Sequence, residues 1–333
     1  MTTFDPTKHL LSHRLHGFGP HEGSLSSLES ALATSVRHIE IDTRVTGDGE
    51  LMVLHDAKLD RVTNSEGWVR EFRSSLQGPM TFLGEPEEPV PTLDAFLETV
   101  KRGRSDTTIF IDIKDHGTET EHIRLVEKHD LVERTWFLSW IPEALARIHQ
   151  LNKNIPICFC YLPLIRWKRA AVFLAQRPRM LQRIQPIATR KGWGNMDEVH
   201  FHINDFDVPV NPSGLLMERG LGCPIHLLQN LPDGNLGDMI RASGGGIGLT
   251  PPSITTAAYL EQAREEGFHT LLFHIDTPRR ILDTYENCQP DFISTDRADL
   301  FDFDWAEIKP RRRRKQSRNV KAEISPDTPS APA

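Results

Sequence analysis

Short apolar runs alternate with helical patterns along most of this chain. "HLLSHR" reads as a strand, and "SLSSLESALAT" follows with apolar residues at helical spacing. Residues 37–43 form the next apolar-acidic run, after which "GDGELMVLH" reads as a turn and a further extended segment. "PTLDAFLETVKRG" opens on Pro-Thr and closes on Gly103, as a capped helix should. "TTIFIDIKD" is a buried strand and "ETEHIRLVEKHD" an amphipathic helix. "RTWFLSW", "PEALARIHQLN", "IPICFCYL", "ITTAAYLEQAREEG", "FHTLLFHID", "PRRILDTYENC" and "PDFISTD" continue the rhythm. Strands separated by helices of about 10–15 residues predict parallel βαβ units. Roughly eight such units favour a closed (β/α)8 barrel, the TIM-barrel architecture, over an open doubly wound sheet. No Gly-x-Gly-x-x-Gly follows the first strand, which weakens a dinucleotide-binding alternative.

Two stretches break the rhythm. Residues 166–246 are long and rich in Arg, Pro and Gly; they are expected to carry one or two barrel units with enlarged loops, "EVHFHIND" being a strand. Residues 309–333, "KPRRRRKQSRNVKAEISPDTPSAPA" from Lys309, are charged and Pro/Ser-rich without apolar periodicity, so a disordered tail is expected there. Residues 1–308 then form a single barrel domain. The tail's basic run offers a contact for an anionic surface.

Composition narrows the function classes. The chain has 333 residues, 38% hydrophobic and 26% charged, as an ordinary globular protein has. A formal net charge of −7 argues against general nucleic-acid affinity. No run approaches the roughly 18 apolar residues of a membrane span. The start, "MTTFDPTKHLLSHR", lacks a charged-then-apolar leader, so a secretory signal is not expected. Four cysteines do not make a disulfide framework, and Cys158 and Cys160 read as buried reduced thiols. A cytoplasmic address is the simplest expectation.

The chemistry sits at the ends of the extended runs. Active sites of such barrels lie at the C-terminal ends of the strands. His13 and Arg14 end the first run, Glu40 and Asp42 the second, His55 and Asp56 the third, Asp112 and Lys114 the fourth. Residues two apart on a strand share a face, so Glu40 and Asp42 point the same way. Two like charges buried there are costly unless they share a cation. Glu40, Asp42 and Asp112 offer hard oxygen ligands suited to one Mg²⁺ or Ca²⁺, with Mn²⁺ and Zn²⁺ as further candidates. His13 and His55 suit general acid and base work near neutral pH, and Arg14 and Lys114 add positive charge for phosphate. Together these types describe a phosphate-ester site.

At this point a resemblance emerges. "LLSHRLHGFGPHEGSLSSLESAL", "RHIEIDTRVTGDGELMVLHDAKLDRVTNSEGWV", "VPTLDAFLE", "IFIDIKD" and "LSWIPEALARI" resemble, in order and spacing, the glycerophosphodiester phosphodiesterase family. "AREEGFHTLLFHIDT" and "QPDFISTDRADLF" resemble that family's last two strands. The resemblance implies a TIM barrel that cleaves a small-molecule glycerophosphodiester to glycerol 3-phosphate and an alcohol with a divalent cation. It implies His13 and His55 as the acid/base pair, Glu40, Asp42 and Asp112 as metal ligands, and Arg14 and Lys114 as phosphate contacts. The chain departs from the family's pattern at four places: Leu15 for the usual Gly, "HEGS" (keeping Glu22) for Pro-Glu-Asn-Thr, Asp112 for Glu, and "FHID" for Trp-Thr-Val-Asn. These surround the substrate and bear on which alcohol is released. The alternatives are a phospholipase D or sphingomyelinase D type of enzyme acting on choline lysolipids, and a catalytically silent barrel that binds a phosphodiester.

Overall fold

The computed structural model describes residues 4–163, 198–201, 225–228, 230–250 and 255–308. Its strands are β1 (Leu10–His13), β2 (His38–Val45), β3 (Leu51–Val53), β4 (Thr108–Ile113), β5 (Thr135–Ser139), β6 (Ile157–Pro163), β7 (Glu198–Phe201), β8 (Ile225–Leu228), β9 (Gly246–Leu249), β10 (His269–Leu272) and β11 (Phe292–Thr295). Eight of them, in the order β1-β2-β4-β5-β6-β9-β10-β11, pair in parallel, and β11 returns to β1. The sheet is therefore a closed eight-stranded parallel barrel, as the alternating pattern predicts.

Helices clothe the barrel, most of them where the sequence places them. These include α1 (Pro6–His9), α2 (Leu25–Leu32), α3 (Ser74–Gln77), α4 (Leu93–Arg102), α5 (Glu119–Lys128) and α6 (Pro142–Leu151). Later in the chain come α7 (Gly234–Ala242), α8 (Ala257–Glu265) and α9 (Pro278–Cys288). Ser24 and Thr92 cap α2 and α4 by accepting backbone N–H bonds from Ser27 and Ala95, which satisfies otherwise orphaned donors. The strand period of two then divides the barrel's side chains. Outward Ile39, Ile41, Ile109, Ile111 and Ile113 join Leu28, Phe96, Leu97 and Val126 in the main core under the helices. Inward Leu11, Phe110, Leu138, Cys158, Cys160 and Leu271 form a separate plug inside the barrel, with Trp136, Trp140, Phe273 and Phe292 against it. That plug is the floor on which the mouth stands.

Two expectations are corrected. The third extended run is not a barrel strand: β3 pairs antiparallel with β2, Val53 opposite Thr43, so it runs back down toward the barrel. Among the described residues of 166–246, "EVHFHIND" does contain a strand, β7, but it pairs antiparallel with β8 beside β6 and stands outside the barrel. The barrel strand that takes its place in the count of eight is the glycine-rich β9. Most of 166–246, and the tail 309–333, lie outside the described residues. Among the described residues, no helix is long and apolar enough to cross a membrane.

Between β3 and α4 the chain builds a small lobe with its own core of Met52, Leu54, Leu59, Val69, Phe72, Met80, Phe82 and Val90. This lobe carries His55, Asp56 and Arg61.

Candidate active site

Register brings the acids together. His13 lies opposite Glu40 across the β1–β2 pair, and Asp42 lies opposite Asp112 across β2–β4. All four side chains point inward by the same parity that puts Leu11 and Phe110 in the plug below them. Glu40, Asp42 and Asp112 are each no more than 3% exposed, and a carboxylate oxygen from each lies within 4.8 Å of the others. Lys114 Nζ reaches into this group, 2.9 Å from Asp42 Oδ1 and 2.6 Å from Asp112 Oδ2. Because β3 descends antiparallel, with Leu54 N–H donating to the Asp42 carbonyl, His55 is delivered beside Asp42. A cleft lined by Arg14, Glu22, Asp42 and His55 opens there.

Each of the two histidines is tied at Nδ1 to a carboxylate. His13 Nδ1 donates to Asp296 Oδ1 at 2.6 Å, and His55 Nδ1 to Asp56 Oδ1 at 2.7 Å. An acceptor on Nδ1 fixes the tautomer that leaves Nε2 without a proton. Asp296 is itself anchored, its backbone N–H donating to Asp276 Oδ1 at 2.8 Å. Asp56 is gripped by Arg61, whose guanidinium also bonds Glu22. Glu22 in turn faces Arg14 Nη1 at 3.6 Å and His16 Nε2 at 3.2 Å. One connected network of charges therefore links the lobe to the turn after β1.

That turn is strained. Arg14 and Leu15 both take left-handed backbone angles, φ +52° and +58°, which L-residues with a Cβ avoid. The bend lets the Arg14 backbone N–H donate to Glu40 Oε2 at 3.1 Å and sets its Nε 3.9 Å from Asp42 Oδ2. Leu15, fully buried, anchors the bend in the core.

Electrostatics follow from burial. Glu40 is pushed well above the usual carboxylate range, by its burial first and then by the charges of Asp42 and Asp112. Burial also pushes Asp112 up. Burial acts the same way on Asp42, but the Lys114 ammonium, helped by the Arg14 guanidinium, overrides it and holds that carboxyl low. Burial holds both His13 and His55 well below the ordinary imidazole value, so both are neutral at pH 7. Asp42 Oδ2 and Asp112 Oδ1 are buried without a hydrogen-bond partner. Buried carboxylate oxygens that accept no hydrogen bond, beside a third acid raised by burial and by its neighbours' charge, suit a hard divalent cation.

All seven residues singled out from the sequence, His13, Arg14, Glu40, Asp42, His55, Asp112 and Lys114, line this one mouth. Sequence reasoning did not select Asp296, Asp276, Arg61, Glu22, His16 or His274 as site residues. Asp296 carried a readable signal, since "FISTD" ends in an acid just as "HIEID" and "IFID" do. Glu22 carried one as well, as the acid kept in "HEGS", whereas Arg61 carried none, because its role depends on how the lobe folds back.

Comparison with known proteins agrees with the geometry. Residues 11–192 match the profile of the Glycerophosphoryl diester phosphodiesterase family. A glycerophosphodiester phosphodiesterase of Bacillus subtilis (strain 168) is 31% identical over 170 residues, covering 44% of this chain and 57% of that protein. One from Caldanaerobacter subterraneus subsp. tengcongensis is 28% identical over 163 residues, covering 46% of this chain and 66% of that protein. The chain thus spans between half and two thirds of the length of these relatives. Among solved structures, an Oleispira antarctica phosphodiesterase in complex with the product sn-glycerol-3-phosphate superposes with a TM-score of 0.57 at 17% identity, over 88% of this chain and 95% of that one. At that identity the likeness is one of fold.

Proposed function

This chain belongs to the glycerophosphoryl diester phosphodiesterase family, and on that premise we propose that it hydrolyses a glycerophosphodiester, or a related polyol or sugar phosphodiester. The products are a phosphomonoester such as glycerol 3-phosphate and an alcohol. The observation that carries this reading is the pair of Nδ1-anchored, neutral imidazoles set around three buried carboxylates. Support also comes from the names of the matched relatives and from the product held by the Oleispira antarctica protein.

Glu40, Asp42 and Asp112 would hold one divalent cation, Mg²⁺ or Ca²⁺ by the hardness of their oxygens. When bound, it supplies a Lewis acid that draws charge off the phosphoryl oxygens. Arg14 and Lys114 add fixed positive charge at the same place, the ammonium already lying between Asp42 and Asp112. Of His13 and His55, one takes the proton of the attacking oxygen at Nε2, and the other, once protonated, gives its proton to the departing alkoxide. The carboxylates of Asp296 and Asp56 hold the rings in place and stabilise the imidazolium form of each, the one made when the base takes a proton and the one spent when the acid gives it. A cytoplasmic setting belongs to the same reading, and the free thiols of Cys158, Cys160 and Cys288 fit it.

The test is hydrolysis of glycerophosphocholine, glycerophosphoethanolamine, a sugar phosphodiester, lysophosphatidylcholine and sphingomyelin, with EDTA and then with Mg²⁺, Ca²⁺ or Mn²⁺ restored. Glycerol 3-phosphate release that needs the cation, and that falls about 10²-fold or more in His13→Ala and in His55→Ala, is the expected result. Turnover confined to the two lipids would move the substrate class to the phospholipase D type. No turnover of any ester would leave the silent, binding-only barrel.

A further inference from the structure

Beside the acid cluster, at the outer rim of the mouth, three imidazoles gather around one carboxylate. His13 closes β1, His16 lies on the strained turn after it, His274 follows β10 and Asp296 follows β11. A ligand atom from each of His13, His16 and Asp296 lies within 4.8 Å of the others. His274 stacks on the His13 ring, centroids 4.7 Å apart and planes 28° from parallel, and its Nε2 is 4.0 Å from Asp296 Oδ2. Two of these groups have orienting carboxylates behind them: Glu22 faces His16, and Asp276 holds the backbone of Asp296. A carboxylate placed behind an imidazole ligand, as Glu22 is behind His16, fixes ring orientation at metal centres.

The two clusters differ in chemistry and in access. Glu40, Asp42 and Asp112 are an all-oxygen, buried set, whereas the rim offers imidazole nitrogens with a single carboxylate. Nitrogen donors favour Zn²⁺ and similar borderline ions over Mg²⁺ or Ca²⁺. The rim is also open to solvent, with the side chains of His16, His274 and Asp296 32%, 42% and 33% exposed.

We propose that His13, His16, His274 and Asp296 form a second, imidazole-rich site for Zn²⁺ or a like cation, whose occupation switches the enzyme off. The geometry points to Nδ1 as the His13 ligand atom, because that nitrogen faces Asp296. An imidazole ligated at Nδ1 carries its proton on Nε2. The proton that bridged Nδ1 and Asp296 therefore passes to Nε2 with no net release, and the carboxylate oxygen is freed to bind the ion. Nε2 then has no lone pair to accept a proton, and His13 is lost as an acid–base group. The inhibitory half rests on the role proposed for His13 above; the binding half does not.

Both halves are tested on the full chain, stripped with EDTA and then held in excess Mg²⁺. Co²⁺ is titrated in as a coloured probe, followed by Zn²⁺ in competition. One Co²⁺ with the visible bands of a nitrogen-ligated ion, displaced by Zn²⁺ while Mg²⁺ stays in excess, is expected. His16→Asn and His274→Phe should each weaken Zn²⁺ binding about tenfold or more. The phenyl ring of His274→Phe keeps the stack on His13, so a loss there reports the missing nitrogen and not a collapsed rim. Asp112→Asn should leave the Co²⁺ spectrum unchanged. Zn²⁺ binding that follows Asp112 and ignores His16 and His274 overturns the site. Zn²⁺ bound through His16 and His274 with hydrolysis undiminished overturns the inhibitory half alone. If no ester is turned over at all, the spectra still decide the binding half, so the two failures are told apart.

Discussion

Leu15 occupies a left-handed backbone position, φ +58°, where the family pattern ordinarily has glycine. The side chain is fully buried in the core, so two effects oppose each other at one residue. Releasing the backbone is worth about 1–2 kcal/mol, while emptying a Leu-sized space costs about 3–5 kcal/mol. Leu15→Gly is therefore expected to destabilise the protein by roughly 1–4 kcal/mol, read from the urea midpoint; a gain in stability would mean that the strain outweighs the packing. Asp296 acts by position. Its 2.6 Å contact with His13 Nδ1 selects the tautomer that leaves Nε2 able to accept a proton. In Asp296→Asn the amide can offer an N–H to Nδ1 and favour the opposite tautomer. The expected result is a fall in kcat of about 10²-fold or more with KM little changed. An unchanged kcat would remove Asp296 from the proposed mechanism.

At the scale of elements, β9 shows why part of the fold was illegible. Its glycines are required by close approach and not by unusual backbone angles. A Cβ at Gly246 would lie 2.2 Å from the His269 carbonyl oxygen, and one at Gly248 would lie 2.7 Å from Cys160 Sγ. Gly246→Ala should push β9 off β10 and cost about 1–3 kcal/mol or more, visible as a lower melting temperature; wild-type stability would show that the barrel can relax there. A strand made of glycine for steric reasons carries no apolar alternation, so the pattern reading passed over "GGGIGL" and counted "EVHFHIND" in its place. By contrast β2 and β4 were plain. Their outward isoleucines form a buried helix-facing stripe, and their inward acids occupy the other parity at the mouth. The reversal of β3 was hidden for a different reason. An antiparallel return and a parallel strand share the same period of two, so "ELMVLHD" could be assigned as extended but not given a direction. His55 nonetheless reaches the mouth, because a descending strand delivers its last residues to the same rim that ascending strands reach. The placing of Arg61 depends on the lobe's own small core, and no local pattern encodes that packing.

On the scale of the whole molecule, stability should depend on pH through histidines far from the chemistry. His122 is 1% exposed, joining α5 to β2, with Nδ1 donating to the Thr118 carbonyl at 2.9 Å and Nε2 2.8 Å from the Thr43 hydroxyl. Burial pulls its pKa down to about 4. In the unfolded chain an imidazole titrates near 6.5. Between those two values the unfolded state binds a proton that the folded state refuses, so stability rises with pH across the window and falls as the solution is acidified through it. Lowering the pH from 7 to 5 should remove about 2 kcal/mol through this one group. His38, pulled to about 4 by burial as well, acts with the same sign. The carboxylates held low, such as Asp94 beside Lys128 and His129, are lost only at more acid pH, whereas Glu40 and Asp112, held high by burial, act with the opposite sign, so the comparison with a His122 variant isolates the imidazole. Urea midpoints taken at pH 7 and at pH 5 should therefore separate in the native chain. In His122→Gln, which has nothing to titrate there, the separation should shrink by about 2 kcal/mol, even though the variant starts less stable. Equal separations in the two proteins would mean that His122 takes up its proton inside the fold, through an opening between β2 and α5 that the packed structure does not contain.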